Sequence, residues 1–175
     1  MTPDSPLVAA VAPSPNFGER RTPLDAIILH YTGMASGQAA QHLLCDQKSQ
    51  VSAHYLIFED GRIHQLVAEN FRAWHAGNSF WAGERDMNSR SIGIEIVNGG
   101  HDFGLPDFPE AQISALLALL DDICTRQNIE KSRVLGHSDI APARKKDPGE
   151  KFPWARLAQA GFGVFAPPAP LSAGP

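Results

Sequence analysis

The sequence predicts an α/β fold: a single three-layer domain in which helices flank a central mixed β-sheet. Short apolar runs typical of buried strands alternate along the chain with segments of helical periodicity, and this alternation favours a sheet covered by helices. An Asp60-Gly61 pair between two alternating segments indicates a hairpin, so antiparallel pairing is expected beside parallel pairing. The chain has 175 residues, 43% of them apolar, which suits one domain with its own core.

In the first half of the chain, three segments carry clear patterns. The apolar, β-branched run 26–32 (AIILHYT) predicts a buried strand. A helix is expected at about 36–47, where Ser36 is a possible N-cap. Residues 52–67 alternate on either side of the Asp60-Gly61 turn, which predicts two antiparallel strands.

In the second half, residues 74–88 have no clean period and predict a loop that carries function. The run 91–97 (SIGIEIV) predicts a strand with its isoleucines on one face. Helical spacing of apolar residues over 109–127 predicts the longest helix. A short strand at 134–135 and a last helix at about 153–160 complete the domain.

The domain is expected to span residues 14–164, between a flexible N-terminal segment, 1–13, and a Pro-rich C-terminal tail, 165–175. The net charge of −4 argues against a nucleic-acid partner, and no apolar stretch reaches the ~20 residues that span a bilayer. Because Asp4 rather than a basic residue precedes the short apolar patch near the N-terminus, a secretory signal is not indicated and a cytoplasmic location is expected.

The run GHSDIAPARKKDPG, residues 136–149, predicts part of a metal site. It sets His137 and Asp147 in a basic loop that prolines stiffen. His30, at the end of the first buried strand, is the candidate third ligand because binding residues gather where the strands of α/β sheets end. Two imidazoles and one carboxylate would leave a tetrahedral zinc ion with an open position, as in catalytic zinc sites.

Other chemistry has less support in the sequence. His137 and Asp139 spell the HxD of a two-histidine, one-carboxylate iron site, but no histidine follows His137, and Asp139 is interpreted as a loop residue that hydrogen-bonds backbone. No GxSxG, GxGxxG or Walker motif is present, and Cys45 and Cys124 lack an electropositive setting. A metal-bound water is therefore the favoured nucleophile.

The run Arg144-Lys145-Lys146 has two interpretations. It can be a solvated charge cluster, or Lys145 can point its ammonium at the oxygen of a carbonyl bound to the metal. The remaining histidines of the strands, helices and Gly-rich loops are expected to be structural or solvent-facing; these are His42, His54, His64 and His101.

Seven segments together carry a family resemblance: SPNFGER, ILHYT, SAHYLI, WHAG, SIGIEIVN, GHSDIAPARKKDPG and FPWARLAQAG. They resemble the zinc-dependent N-acetylmuramoyl-L-alanine amidases of the amidase-2 family, of the AmpD and AmiD type, whose fold is shared with phage T7 lysozyme and the peptidoglycan recognition proteins. The resemblance implies one Zn²⁺ on His30, His137 and Asp147. It also implies Glu95 as catalytic acid/base and Lys145 as the second catalytic residue.

The resemblance further implies a substrate and its contacts. The expected reaction is hydrolysis of the amide between N-acetylmuramic acid and L-alanine of a stem peptide, by a monomer. Because no export signal is indicated, the 1,6-anhydro form of the sugar and a role in cytoplasmic cell-wall recycling are expected. The closing segment FPWARLAQAGFG looks more like the exported AmiD branch, whose members accept both anhydro and ordinary muramyl ends, so both specificities stay open. Tyr31, Trp74, His75 and Asn78 lie in segments similar to the family's cleft, although Trp74 suits a structural role equally well. The alternative function is a non-catalytic peptidoglycan-binding module of the same fold.

Overall fold

The structure, a computed structural model, describes residues 1–166, so the predicted tail lies outside the described residues from residue 167 onward. In the described part, eight strands form: β1 Val8–Val11, β2 Phe17–Glu19, β3 Ala26–Tyr31, β4 Tyr55–Ile57, β5 Ile63–Gln65, β6 Phe71–Ala73, β7 Ser91–Ile96 and β8 Val134–Gly136. The α-helices of this part are α1 Gly37–Cys45, α2 Met87–Arg90, α3 Glu110–Gln127, α4 His137–Ile140 and α5 Trp154–Gln159. Short 3-10 helices cover Gln47–Ser49, His101–Phe103 and Lys131–Arg133.

A six-stranded mixed sheet forms the centre of the domain, in the order β1-β5-β4-β7-β3-β8. Strands β4 and β5 pair antiparallel, as the Asp60-Gly61 turn predicts, while β4, β7, β3 and β8 run parallel to one another. Helices flank this sheet, so the predicted fold class is confirmed. Strands β2 and β6 form a separate two-stranded antiparallel sheet.

One face of the main sheet packs against α3 and α5 and forms the main core. Alternating strand residues supply the sheet side of this core, namely Ile27, Leu29, Tyr55, Ile57, Ile92, Ile94 and Ile96. Helix α3 supplies Ile113, Leu116, Leu119, Leu120 and Ile123, and α5 supplies Leu157. The prediction that the isoleucines of the 91–97 run share one buried face is confirmed.

The opposite face of the sheet is covered by α1 and by the loop after β6. Ser36 caps α1 as predicted, because its side chain accepts a hydrogen bond from the Ala39 amide. Ala40 and Leu44 of α1 pack on Leu56 of β4 in a second cluster. This second face carries the polar residues that β3 and β7 turn away from the main core, and it therefore positions the candidate site.

The N-terminal segment differs from the expectation of a flexible stretch over residues 1–13. Val8–Val11 pair in parallel with β5 and add an edge strand to the sheet. The Asp4 carboxylate accepts a hydrogen bond from the Glu69 amide at 2.8 Å and fastens the residues before β1. Only four residues form this strand, and its partner is more than fifty residues away in sequence, so no local pattern predicts it.

Candidate active site

The register of the sheet brings three predicted site residues together. His30 of β3 is the direct partner of Glu95 on the adjacent parallel strand β7. On the other side of β3, Gly136 of β8 is the partner of Leu29, so His137 follows beside His30. Neighbouring strands lie about 4.8 Å apart. The carboxyl ends of three parallel strands therefore place two imidazoles and one carboxyl group close together.

Asp147 completes a compact set of ligand atoms. The Nδ1 atoms of His30 and His137 lie 2.9 Å apart, and each lies 3.0 Å from Oδ2 of Asp147. All three residues are buried, with at most 5% of their surface exposed. Two nitrogens and a carboxylate oxygen that converge in this way fit a single cation, because a cation accepts lone pairs from all three. The structure thus brings together the three residues that the sequence predicts as ligands.

The remote nitrogens of the two histidines also have partners. Nε2 of His30 lies 3.0 Å from Nδ1 of His75, and Nε2 of His137 lies 3.0 Å from the carbonyl oxygen of Ala76. A proton on each Nε2 would satisfy these contacts in a metal-bound state and leave the lone pair of each Nδ1 for the metal. Hydrogen bonds of this kind commonly fix the tautomer of metal-binding histidines.

Burial favours the neutral form of His30 and of His75. It lowers the pKa of His30 to about 4, against the opposing hydrogen bond to Asp147. It also lowers the pKa of His75 well below the ordinary value. Burial alone would raise the pKa of Asp147, but hydrogen bonds to His137 and His30 outweigh it and hold that pKa well below its usual range. Neutral imidazoles beside an ionised carboxylate are the protonation states that metal binding requires.

Glu95 faces the same point without a protein partner. Its Oε2 atom is buried and makes no hydrogen bond within residues 1–166. Burial, and then the negative charge of Asp147, raise the pKa of Glu95 to about 8, while Lys145 acts in the opposite direction. A buried carboxyl oxygen with no partner is unusual in a folded protein. This one is available to a water molecule or a substrate.

The three residues of the basic run after α4 have different environments, so the solvated-cluster interpretation and the catalytic interpretation apply to different residues. Lys145 is half-buried and lines the cleft with Glu95 and the three candidate ligands. The Arg144 guanidinium instead donates to the carbonyl oxygens of Ala76 and Asn78. Lys146 is exposed. Within this run, Lys145 is the residue in position to meet a bound carbonyl.

The predicted substrate contacts fall in different places. Tyr31, Trp74 and His75 line the cleft, and the Tyr31 hydroxyl hydrogen-bonds to His101 at 2.9 Å. His75 is also buried against His30, which sequence reasoning did not anticipate. Asn78 does not line the cleft; it lies in a neighbouring groove with Phe80, Arg85 and Arg144.

One wall of the cleft is apolar. It is formed by side chains from α1 and the residues around it, namely Met34, Ala40, Leu43, Leu44 and Val51. Leu43 and Val51 remain exposed although both are large and apolar. The cleft therefore offers polar chemistry at one end and an apolar surface along its side, as is typical of small-molecule sites.

Comparison with known families agrees with this geometry. The model of the amidase-2 family, described as N-acetylmuramoyl-L-alanine amidase, matches residues 20–150, which is more than half of the chain. The chain belongs to the amidase-2 family. The matched range includes all the residues predicted to bind the metal or to act in catalysis.

This amidase-2 chain matches different shares of its named relatives. It is 41% identical to the N-acetylmuramoyl-L-alanine amidase AmiD of Escherichia coli over an alignment 154 residues long, which covers 81% of the chain and 55% of AmiD. It is 35% identical to the 1,6-anhydro-N-acetylmuramyl-L-alanine amidase AmpD of Haemophilus influenzae, over 82% of the chain and 86% of AmpD. The chain thus spans about half the length of one relative and most of the other.

A solved structure gives the same family. The complex of E. coli AmiD with the substrate anhydro-N-acetylmuramic acid-L-Ala-D-gamma-Glu-L-Lys superposes with a TM-score of 0.75 at 38% identity. The similarity covers 85% of this amidase-2 chain and 67% of the AmiD chain. Within residues 1–166 of the present chain, no helix has the length and apolar character needed to cross a membrane.

Sequence reasoning missed residues that support the site from behind. The Arg20 guanidinium donates to the backbone oxygens of Ser89 and Ser91 and contacts His54 beneath the sheet edge. Asn88 accepts hydrogen bonds from the backbone amides of His75 and Ala76. Arg20 lies in one of the segments that carry the family resemblance, and Asn88 lies three residues before another. The position of both residues in or beside these segments is the sequence signal that could have drawn attention to them.

Proposed function

We propose that this amidase-2 chain is a zinc-dependent hydrolase of the amide bond between N-acetylmuramic acid and the L-alanine of peptidoglycan stem peptides. The observation that carries the proposal is the buried set of His30, His137 and Asp147, next to a carboxyl oxygen of Glu95 that has no partner in the described part of the chain. Membership of the amidase-2 family indicates which bond is cut. The residues supply the means to cut it.

Zinc suits the three candidate ligands. Two neutral imidazoles and one carboxylate match the composition of catalytic zinc sites, and three protein ligands leave a position open. When bound, the ion would lower the pKa of a water molecule and polarise the scissile carbonyl. The cleft that these ligands line is open to solvent, so a substrate can reach the open coordination position of the ion.

Glu95 is proposed as the acid and base of the reaction. Its free Oε2 would take a proton from the attacking water and deliver it to the nitrogen of the leaving alanine. A nearby divalent cation would lower the pKa of this carboxyl from the raised value it has in the metal-free chain, because positive charge favours the ionised form. Glu95 would then begin the reaction as a base.

Lys145 is proposed to stabilise the tetrahedral intermediate. Its side chain lines the cleft with Glu95. Its positive charge would stabilise the negative charge that develops on the carbonyl oxygen of a bound substrate. Tyr31 and Trp74 would contact the substrate along the same cleft. Asn78, in the neighbouring groove, would contact a part of the substrate that extends past Arg144.

The proposed substrates are soluble muropeptides that carry a 1,6-anhydro sugar, released during cell-wall turnover. AmpD relatives are named for the 1,6-anhydro substrate, and the AmiD structure holds an anhydro-muramyl tripeptide. We propose in consequence a role in recycling in the cytoplasm, which fractionation of cells that express the chain would test. The apolar wall of the cleft offers a surface for the less polar parts of such a fragment.

The direct test offers purified protein two substrates. Anhydro-muramyl tripeptide and intact sacculi are incubated separately with the chain, with and without a metal chelator, and free peptide is measured by mass spectrometry. We expect peptide from the soluble substrate, and no peptide after chelation. A chain that binds the tripeptide but releases no peptide with zinc present is a binding module, and the proposed hydrolase is then wrong.

A further inference from the structure

The residue pair His75-Ala76 supports both candidate histidine ligands at once. The His75 ring meets the remote nitrogen of His30, and the Ala76 carbonyl meets the remote nitrogen of His137. These contacts come from adjacent residues of one loop. A shift of this loop would therefore disturb two ligands together.

We propose that Asn88 is the positioning residue that holds this loop, and through it the metal ligands. Its Oδ1 atom accepts hydrogen bonds from the backbone N–H of His75 at 2.9 Å and from that of Ala76 at 2.7 Å. One side-chain atom thus fixes both residues that contact the ligand histidines. The inference rests on the proposed role of His30 and His137 as zinc ligands.

The packing around His75 leaves its ring little freedom. Gly93 lies directly against it, and a Cβ atom at this position would come within 2.3 Å of the imidazole. The other ring nitrogen of His75 lies 3.4 Å from the Ser91 hydroxyl. The ring is therefore confined between β7 and His30, and the direction of its Nδ1 depends on where the backbone of residue 75 sits.

The Ala76 carbonyl is confined from the opposite side. The Arg144 guanidinium donates to this oxygen at 2.9 Å while the same oxygen meets His137. Asn88 acts on the amide side of the residue and Arg144 on its carbonyl side. Both sides of Ala76 are thereby fixed before any metal arrives.

Asn88 is itself well anchored. It is only 7% exposed and lies in α2, the short helix that the Asp86 side chain caps by accepting from the Ser89 amide. Arg72 donates to the same carboxylate at 2.8 Å. A rigid support two hydrogen bonds away from a metal is the arrangement that sets ligand orientation, and loss of such support commonly weakens metal binding by about 10 to 100-fold.

The test compares zinc affinities of full-length variants by competition with a chromogenic chelator. Asn88→Ala removes the acceptor, and we expect its zinc affinity to fall by about 10 to 100-fold. Asn88→Asp keeps an acceptor oxygen and is expected to bind zinc more tightly than Asn88→Ala, close to the wild-type affinity. The matched control is Asn98→Ala, since Asn98 is equally buried and joins loop backbone at Gly100 and Pro106 without contacting a candidate ligand.

A second readout needs no metal. Long-range ¹H–¹⁵N spectra of the metal-free chain report which ring nitrogen of each histidine carries the proton. We expect one defined tautomer for each of His30 and His137 in wild type and a mixture of tautomers in Asn88→Ala. If wild type fails to bind zinc, the proposed metal site is wrong, while this spectrum still decides the positioning role.

Equal zinc affinity in Asn88→Ala and Asn98→Ala, with unchanged tautomers, would overturn the inference. Should Asn88→Ala fail to fold, His75→Phe takes its place, because phenylalanine fills the same space over Gly93 without a ring nitrogen. We expect weaker zinc binding in His75→Phe, and wild-type affinity in that variant would likewise reject the role of the loop.

Discussion

At the scale of single residues, Glu95 combines two properties that a structural carboxyl rarely has together. One oxygen is buried and has no partner among residues 1–166, and the pKa of the group is raised to about 8 by burial and by Asp147. A carboxyl that served only the fold would instead be paired, as Glu69 is with Arg126 and Tyr55. The contrast between these two glutamates is the main physical reason to assign chemistry to Glu95.

Replacement of Glu95 by glutamine tests this assignment. The substitution preserves shape but removes the group that accepts the proton, so turnover of anhydro-muramyl tripeptide should fall by about 100 to 10,000-fold. Zinc content, measured by mass spectrometry of the metal, should remain at the wild-type level. Glu59→Gln, at an exposed glutamate, is the control. Turnover within a few-fold of wild type in Glu95→Gln would contradict the role.

The same scale shows what sequence could predict of the site. His30, His137 and Asp147 follow from apolar strands that end in polar residues and from a proline-stiffened loop, and the structure brings their ligand atoms together. The supporting role of Asn88 could not be predicted, because its two hydrogen bonds reach residues twelve and thirteen positions away, to the backbone of a loop without regular pattern. Only tertiary structure gives such contacts.

At the scale of elements, strand register positions the chemistry. Because β3 and β7 pair in parallel with His30 opposite Glu95, a slip of one residue would turn either side chain toward the main core. Long periodic elements such as α3 and β7 could be predicted from the sequence. Strands β2 and β6 could not, because their residues stand outside any longer apolar or alternating run.

The contact between α1 and the sheet gives a prediction at this scale. Gly37 begins α1, and a Cβ atom there would lie 2.6 Å from the ring of Phe58 and 3.0 Å from Val97. Gly37→Ala should therefore lower the free energy of unfolding by about 1 to 3 kcal/mol, although alanine is the better helix former. Urea denaturation measures this change. The neighbouring exposed Gln38→Ala should change stability by no more than about 0.5 kcal/mol, and equal effects in both variants would exclude the contact.

At the scale of the whole molecule, several titratable groups are buried together around the carboxyl ends of the parallel strands. Burial lowers the pKa of His30 to about 4 and of His54 to about 3, and lowers that of His75 well below its ordinary value. Glu95 shifts the other way, to about 8. Such a concentration of shifted groups is costly to fold and is typical of functional sites. The fold class could be read from the alternation of strands and helices, whereas this burial pattern could not.

These shifts predict acid sensitivity of the metal-free chain. Below pH 6.5 the unfolded chain protonates its histidines, while burial lowers the pKa of His30, His54 and His75 in the folded chain, so their contribution to stability is lost as the pH falls. Glu95 opposes this trend between pH 8 and 4.5, because its folded form keeps the proton. With three histidines against one glutamate, the free energy of unfolding should fall by about 1 to 3 kcal/mol per pH unit between pH 6.5 and 4.5.

Urea denaturation of the metal-free chain at a series of pH values checks this prediction. Of the three buried histidines, His54 does not contact the candidate ligands. His54→Gln should therefore reduce the dependence of the free energy of unfolding on pH without changing the candidate metal site. A stability that stays constant or rises between pH 6.5 and 4.5 would show that these histidines are accessible to protons in the folded chain.

The measurement that tests the central claim most directly is a zinc titration of turnover. Metal-free chain receives increasing zinc, and the release of peptide from anhydro-muramyl tripeptide is followed at each step. The account predicts that activity rises from background in proportion to added zinc and reaches its maximum at one ion per chain, as His30, His137 and Asp147 form one site. Full activity in the metal-free chain, or none at any zinc concentration, would contradict it.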